Sequence, residues 1–141
     1  MNTGSVTTLP RLESAGLDGW MVRLFDSIDE ANLPWITALL QRCESVFGTA
    51  VVDLVPSYTT LLVVFDPMQL SPLEAQQKIT SLLTDLTPEG NSGTRQIHEL
   101  PTFYHASVGP DLERVAEHTG LSVAEVIACH SQKTYRVFAL G

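Results

Sequence analysis

The chain has 141 residues, with 8 Lys+Arg against 16 Asp+Glu and a formal net charge of -8, a length that suits one domain or at most two small ones. An apolar content of 44% with 17% charged residues excludes an intrinsically disordered chain, which could not offset its ordering entropy. The acidic balance excludes nucleic-acid binding through bulk charge, since phosphate contacts need clustered Lys and Arg.

Residues 1–10 lack the basic start and apolar stretch of a signal peptide, and no run reaches the roughly 18 apolar residues of a membrane helix. Two cysteines, Cys43 and Cys129, make no disulfide framework. Two reduced thiols in a cytoplasmic protein are expected. The acids are unevenly spread: residues 1–94 hold 11 acids and 4 bases, residues 95–141 hold 5 and 4. The seam, Thr87-Pro-Glu-Gly-Asn-Ser-Gly-Thr94, is rich in turn formers. A boundary is expected there, with one domain over 1–94 and a second segment over 95–141.

In chain order, Asp18-Gly19 is a hairpin signal. Trp20, Val22 and Leu24 then alternate with Met21, Arg23 and Phe25, apolar enough on both faces for a central strand. Asn32 and Pro34 open a helix. Its apolar stripe is Ile36, Leu39, Leu40, Cys43, Val46 and Phe47, and Gly48 is its stop. Residues 50–66 read as two strands broken at Pro56-Ser57. Ser71 with Glu74 is a capping box, Pro72 takes the first helical position, and Leu73, Ile79, Leu82, Leu83 and Leu86 mark the buried side.

These elements predict an α+β fold: an antiparallel four-stranded sheet with two helices on one face. The second segment offers a strand over 95–104, a short helix ending at Gly120, a helix opened by the Ser122/Glu125 capping box, and a strand over 135–140. With about 45 residues it is near the lower limit for independent folding. It reads as the start of a further domain, whose last strand would leave an exposed edge open to pairing between copies.

Catalytic motifs are scarce: no phosphate loop, no Gly-x-Ser-x-Gly elbow, no His-Glu-x-x-His. Cys129-His130 is adjacent, whereas helical metal ligands on one face need a spacing of three or four, so no metal site is expected. Residues 112–127 have the helix–glycine–helix outline of a DNA reader, but the second helix supplies Glu125 and His130, with Lys133 and Arg136 only beyond it, which argues against DNA. His130 stands near the end of its helix, where a protonated imidazole is favoured.

Val55-Pro-Ser-Tyr-Thr-Thr-Leu-Leu-Val63 followed by Asp66-Pro67 resembles the "VPAYTSLLV…DP" signature of the B-subunit family of 5-oxoprolinases. That family is also known as allophanate hydrolase subunit 1 and includes an inhibitor of a sporulation histidine kinase. Ile97-His-Glu-Leu-Pro-Thr-Phe-Tyr104, Gly109-Pro-Asp-Leu112, Gly120-Leu-Ser122, Glu125-Val-Ile127, His130-Ser131 and Tyr135-Arg-Val137 follow in the family's order. Phe103 departs from the small residue members often carry. The resemblance implies an α+β first domain followed by the truncated start of a cyclophilin-like β-barrel.

It also implies a subunit, not catalytic alone, that works with subunits C and A to hydrolyse 5-oxoproline to glutamate. The complex would use ATP, with no cofactor bound by this chain. The alternative it implies is a regulatory protein that inhibits a sensor histidine kinase. The matched positions are Pro56, Tyr58, Thr59 and Thr60 in the signature, with Asp111 and His130 in the second segment. No catalytic set is carried over. Each has a packing role as its plainer reading: Pro56 as a strand corner, Tyr58 as a ring to bury with a hydroxyl for a partner, Thr59 and Thr60 as strand formers, Asp111 as a favourable charge in a first helical turn, and His130 as a helix-end cap.

Overall fold

A computed structural model of the chain describes residues 9–88 and 97–139. The chain divides into two compact units, Met1–Thr94 with Val137–Gly141, and Arg95–Arg136. Most of the turn-rich seam lies outside the described residues.

In the first unit, strands β1 (Arg11–Ser14) and β2 (Gly19–Arg23) form an antiparallel hairpin. Its connection departs from the Asp18-Gly19 expectation. Gly16 takes the positive φ, +83°, and Gly19 already belongs to β2. Gly19 is still required there, because a Cβ would meet the Ala15 carbonyl oxygen at 2.6 Å.

Helix α1 (Leu33–Phe47) follows a 3-10 turn over Glu30–Asn32. The cap is shifted from the expected residue. Asp29 accepts the Ala31 N–H at 2.8 Å, while Asn32 sends its amide to the Ser27 carbonyl. The stripe of α1 buries Ile36, Leu39, Cys43 and Phe47, but Val46 is exposed. Gly48, at φ +53°, ends the helix as its spacing predicts.

Strands β3 (Val51–Ser57) and β4 (Thr60–Phe65) complete the sheet in the order β1-β2-β4-β3, antiparallel throughout. The expected break at Pro56-Ser57 is overturned: the turn is Tyr58-Thr59, and Pro56 pairs with Leu61 inside β3. An edge strand permits this, because a residue there can lack its N–H without losing a ladder bond. β2 is central, as its two apolar faces predict.

Helix α2 (Pro72–Thr84) opens on the predicted capping box. Ser71 N–H donates to the Glu74 carboxylate at 2.9 Å, and Glu74 N–H donates back to Ser71 Oγ at 3.3 Å. Ala75 and Ile79 are its buried residues, whereas Leu73 faces solvent.

The core lies between one sheet face and both helices. Val22, Leu61, Val63 and Phe65 meet Ile36, Leu39, Cys43, Phe47, Ala75 and Ile79. Alternation along β4 sends Leu61, Val63 and Phe65 to the same side. Truncating so enclosed a ring as Phe65, 1% exposed, costs about 3–5 kcal/mol. Trp20 Nε1 donates to the Pro72 carbonyl at 3.0 Å. Arg42 sends its guanidinium to the Leu82 and Asp85 carbonyls at 3.2 and 2.8 Å, satisfying the open end of α2.

The second unit contains α3 (Leu112–Thr119) and α4 (Val123–Ser131). Gly120 closes α3 in the left-handed region at φ +69°, and Ser122 with Glu125 forms a complete capping box. The two strands expected around these helices do not form among the described residues. Residues 97–104 and 132–139 are irregular. Their apolar alternation has no neighbouring strand to complete a ladder, and propensity alone does not make a strand. The strand-edge route to self-pairing loses its premise with them.

Candidate functional site

Four of the singled-out residues lie together at the β3–β4 hairpin. Tyr58 is the only described non-glycine residue with a positive φ, +47°, a conformation that costs a non-glycine residue about 1–3 kcal/mol. Its ring stacks on Phe138, with centroids 5.9 Å apart and planes 13° apart, and its N–H donates to the Phe138 carbonyl at 3.3 Å. The residue is 47% exposed, so the expected burial of the ring does not occur. Thr59 is buried instead. Its carbonyl accepts the Leu24 and Phe25 N–H groups at 2.9 and 3.4 Å, and its hydroxyl faces Arg23 Nη1 at 3.4 Å. Thr60 Oγ1 donates to the Ser57 carbonyl at 3.1 Å, and Pro56 packs within β3.

Arg23 is the residue that sequence patterning missed at this tip. It pairs with Thr60 across the ladder, and Nε lies 3.7 Å from Glu13. That atom is buried without a hydrogen bond. Glu13 is drawn below the usual carboxylate range, first by its bond from Arg11 at 2.6 Å and also by the charge of Arg23.

The other two residues lie in the second unit and are not brought together. Asp111 sits at the N-cap of α3 without a side-chain capping bond, and pairs with Arg114 at 3.1 Å. His130, in the last turn of α4, is the centre of an aromatic cluster. Its Nδ1 lies 2.5 Å from the Tyr104 hydroxyl, the Tyr104 ring meets it edge-on at 5.7 Å, and the Tyr135 ring is 5.5 Å away. Lys133 Nζ stands 5.8 Å above the Tyr135 ring. The phenol and the imidazole nitrogen can each donate or accept in this contact, the roles following the tautomer of the ring. A hydroxyl and an imidazole in direct contact can relay a proton between them. Tyr104 and Tyr135 were readable only as strand residues. That they meet on one histidine follows from how the two irregular segments flank α4.

Among the described residues, no group of three His, Cys, Asp or Glu side chains is placed to hold a metal ion, and no helix is long and apolar enough to cross a membrane.

The family model of the carboxyltransferase domain, subdomain C and D, matches residues 10–141. A relative named as the B subunit of 5-oxoprolinase, from Bacillus subtilis (strain 168), is 28% identical over 146 aligned positions, which cover 96% of this chain and 60% of that protein. A second protein of that name, from Escherichia coli O157:H7, is 32% identical over 94 positions, covering 64% of this chain and 41% of its own length. The crystal structure of TTHA0988 superposes with a TM-score of 0.70 at 30% identity, over 89% of this chain and 24% of that one. The chain thus spans 60% of the length of the first of these relatives and less of the others.

Proposed function

As a member of the carboxyltransferase domain family, subdomain C and D, this chain acts, we propose, as the B subunit of a 5-oxoprolinase-type complex. In this reading it joins subunits C and A, and the assembly opens the lactam of 5-oxoproline to glutamate at the expense of ATP. ATP binds outside this chain, and the chain is inactive alone. The observation that carries the reading is the family match over residues 10–141 together with two relatives that are both named as the B subunit of 5-oxoprolinase.

The second unit, in the same reading, belongs to the cyclophilin-like domain of the family, and the sequence match that continues through it is its support. His130 then serves in proton transfer, with Tyr104 setting its tautomer. The hairpin tip at Pro56, Tyr58, Thr59 and Thr60 and the α3 cap at Asp111 serve as subunit or substrate contacts.

The test is reconstitution. The full chain is mixed with purified subunits A and C, and phosphate release dependent on 5-oxoproline is followed. Co-elution with the partners and release above that of A and C alone are expected. No complex and no stimulation would overturn the reading. The excess of 11 acids over 4 bases in residues 1–94 favours a second reading, inhibition of a sensor histidine kinase through an acidic face. Undiminished autophosphorylation at high excess of this chain would remove it.

A further inference from the structure

One feature of the first unit takes no part in either reading. A cleft of about 210 Å³ opens between the ends of α1 and α2 and the approach to β1. Leu24, Phe25, Trp35, Leu83 and Leu86 line it, together with Leu9-Pro10. Drug-sized ligands and cofactors occupy pockets of about 300–1,000 Å³ with a few convergent polar groups. This cleft is smaller, and its lining side chains are all apolar. A cavity of about 150 Å³ holds a benzene ring, so the space suits one large apolar side chain.

The residues around it state what should surround that side chain. Asp26 directly follows the lining residue Phe25, Asp29 and Glu30 continue the same loop, and Asp85 directly precedes the lining residue Leu86; all four are exposed. The bases adjacent in sequence to lining residues are Arg11, beside Pro10, and Arg23, beside Leu24; Arg23 faces Glu13 and Thr59. Arg11 bonds to Glu13, and Arg42 is spent on the carbonyls of Leu82 and Asp85. Asp29 caps the turn before α1. The carboxylates of Asp26 and Asp85 have no ion pair among the described residues. An apolar hole bordered by the exposed carboxylates of Asp26 and Asp85 complements a chain that presents one apolar anchor among bases.

We propose that the cleft bounded by Phe25, Trp35, Leu83 and Leu86 is a docking site for a basic amphipathic segment of a partner protein, which inserts one large apolar side chain between the flanking aspartates.

The test uses the full chain labelled with nitrogen-15 and a synthetic amphipathic peptide of Leu and Lys. The indole N–H of Trp35, assigned with Trp35→Phe, is followed during titration. A saturable shift is expected for Trp35 and none for the indole of Trp20, which donates to Pro72. Leu83→Asp should weaken binding by about tenfold or more, as loss of a buried anchor does. The doubly substituted Asp26→Asn, Asp85→Asn chain alters only exposed positions and keeps the fold, so it tests the charge argument even if Leu83→Asp misfolds. It should weaken binding about threefold and flatten its salt dependence. An equal response to a peptide of Leu and Glu, an unchanged affinity in the doubly substituted chain, or no saturable shift would each overturn the proposal. So would a Trp35 shift on dilution of the chain alone with concentration-dependent sedimentation, which would make the occupant a second copy.

Discussion

Tyr58 and Phe138 are joined twice, by stacked rings 5.9 Å apart and by a backbone hydrogen bond of 3.3 Å. The contact ties residues 137–139 to the β3–β4 hairpin, so the chain leaves the first unit after Thr94 and returns to it at the tip of that hairpin. Such stacking is worth about 0.5–1.5 kcal/mol beyond the area it buries. A double-mutant cycle on Tyr58→Ala and Phe138→Ala should show a coupling of about 1 kcal/mol in urea unfolding. Tyr58→Phe keeps the ring and should leave the midpoint unchanged. Tyr58→Gly loses the ring but relieves the positive φ, and should be less destabilising than Tyr58→Ala. Additive single effects would show that the stack contributes nothing.

The capping box of α2 gives a stability that depends on pH. The hydrogen bond from the Ser71 hydroxyl, and then that from its backbone N–H, hold the Glu74 carboxyl below its ordinary value of 4.5. The ionised carboxylate is the form favoured by the fold. Its contribution is complete above 4.5 and is lost as the pH falls through the depressed native value. Ser71→Ala should cost about 1 kcal/mol at neutral pH. Glu74→Gln should flatten the acid limb of the stability curve, measured by urea unfolding between neutral pH and about pH 3. An acid limb identical to that of the parent chain would assign the pH dependence to other groups.

Helix ends were the most legible features of the sequence, because their chemistry is local. Ser71 with Glu74, Ser122 with Glu125, Gly48 and Gly120 each do in the structure what three or four neighbouring residues predict. The central position of β2 was legible for the same reason, through its two apolar faces. Local chemistry stops deciding where a residue answers to distant groups. Pro56 reads locally as a break, and only the edge position of β3 makes it harmless within a strand. The turn falls two residues later, at a tyrosine with positive φ that contacts Phe138, eighty residues away in the sequence. Residues 97–104 and 135–139 have strand composition, but a strand is defined by its partner, and composition does not supply one. Among the candidate site residues, the cluster at the hairpin was legible as a motif. The convergence of Tyr104 and Tyr135 on His130 was not, because no spacing rule links residues across irregular segments.

The two cysteines should differ sharply in reactivity. Cys43 is fully enclosed in the α1 stripe, and burial pushes its thiol up to about 12, whereas Cys129 is exposed on α4. The thiolate is the reactive form. Ellman's reagent at pH 8 should therefore titrate one thiol in the native chain and two after unfolding in urea. Cys129→Ser should abolish the native reaction. Two fast thiols in the folded chain would contradict the burial of Cys43.

The short bond between Tyr104 and His130 carries the last prediction. If the phenol fixes the proton of neutral His130 on Nε2, Tyr104→Phe releases that constraint. Nitrogen-15 shifts of the neutral imidazole should then move from a single Nε2–H tautomer to a mixture. In the reconstituted complex, removing a general acid–base group costs about 10²–10⁴ in rate, so His130→Ala should lower kcat by that order with little change in KM. Tyr104→Phe should lower it less, because it frees the tautomer of His130 without removing the imidazole. A merely structural role predicts otherwise: both variants would reduce complex formation, and the kcat of the complex that still forms would equal that of the parent. That outcome would leave the cluster as a staple of α4 and take proton transfer away from it.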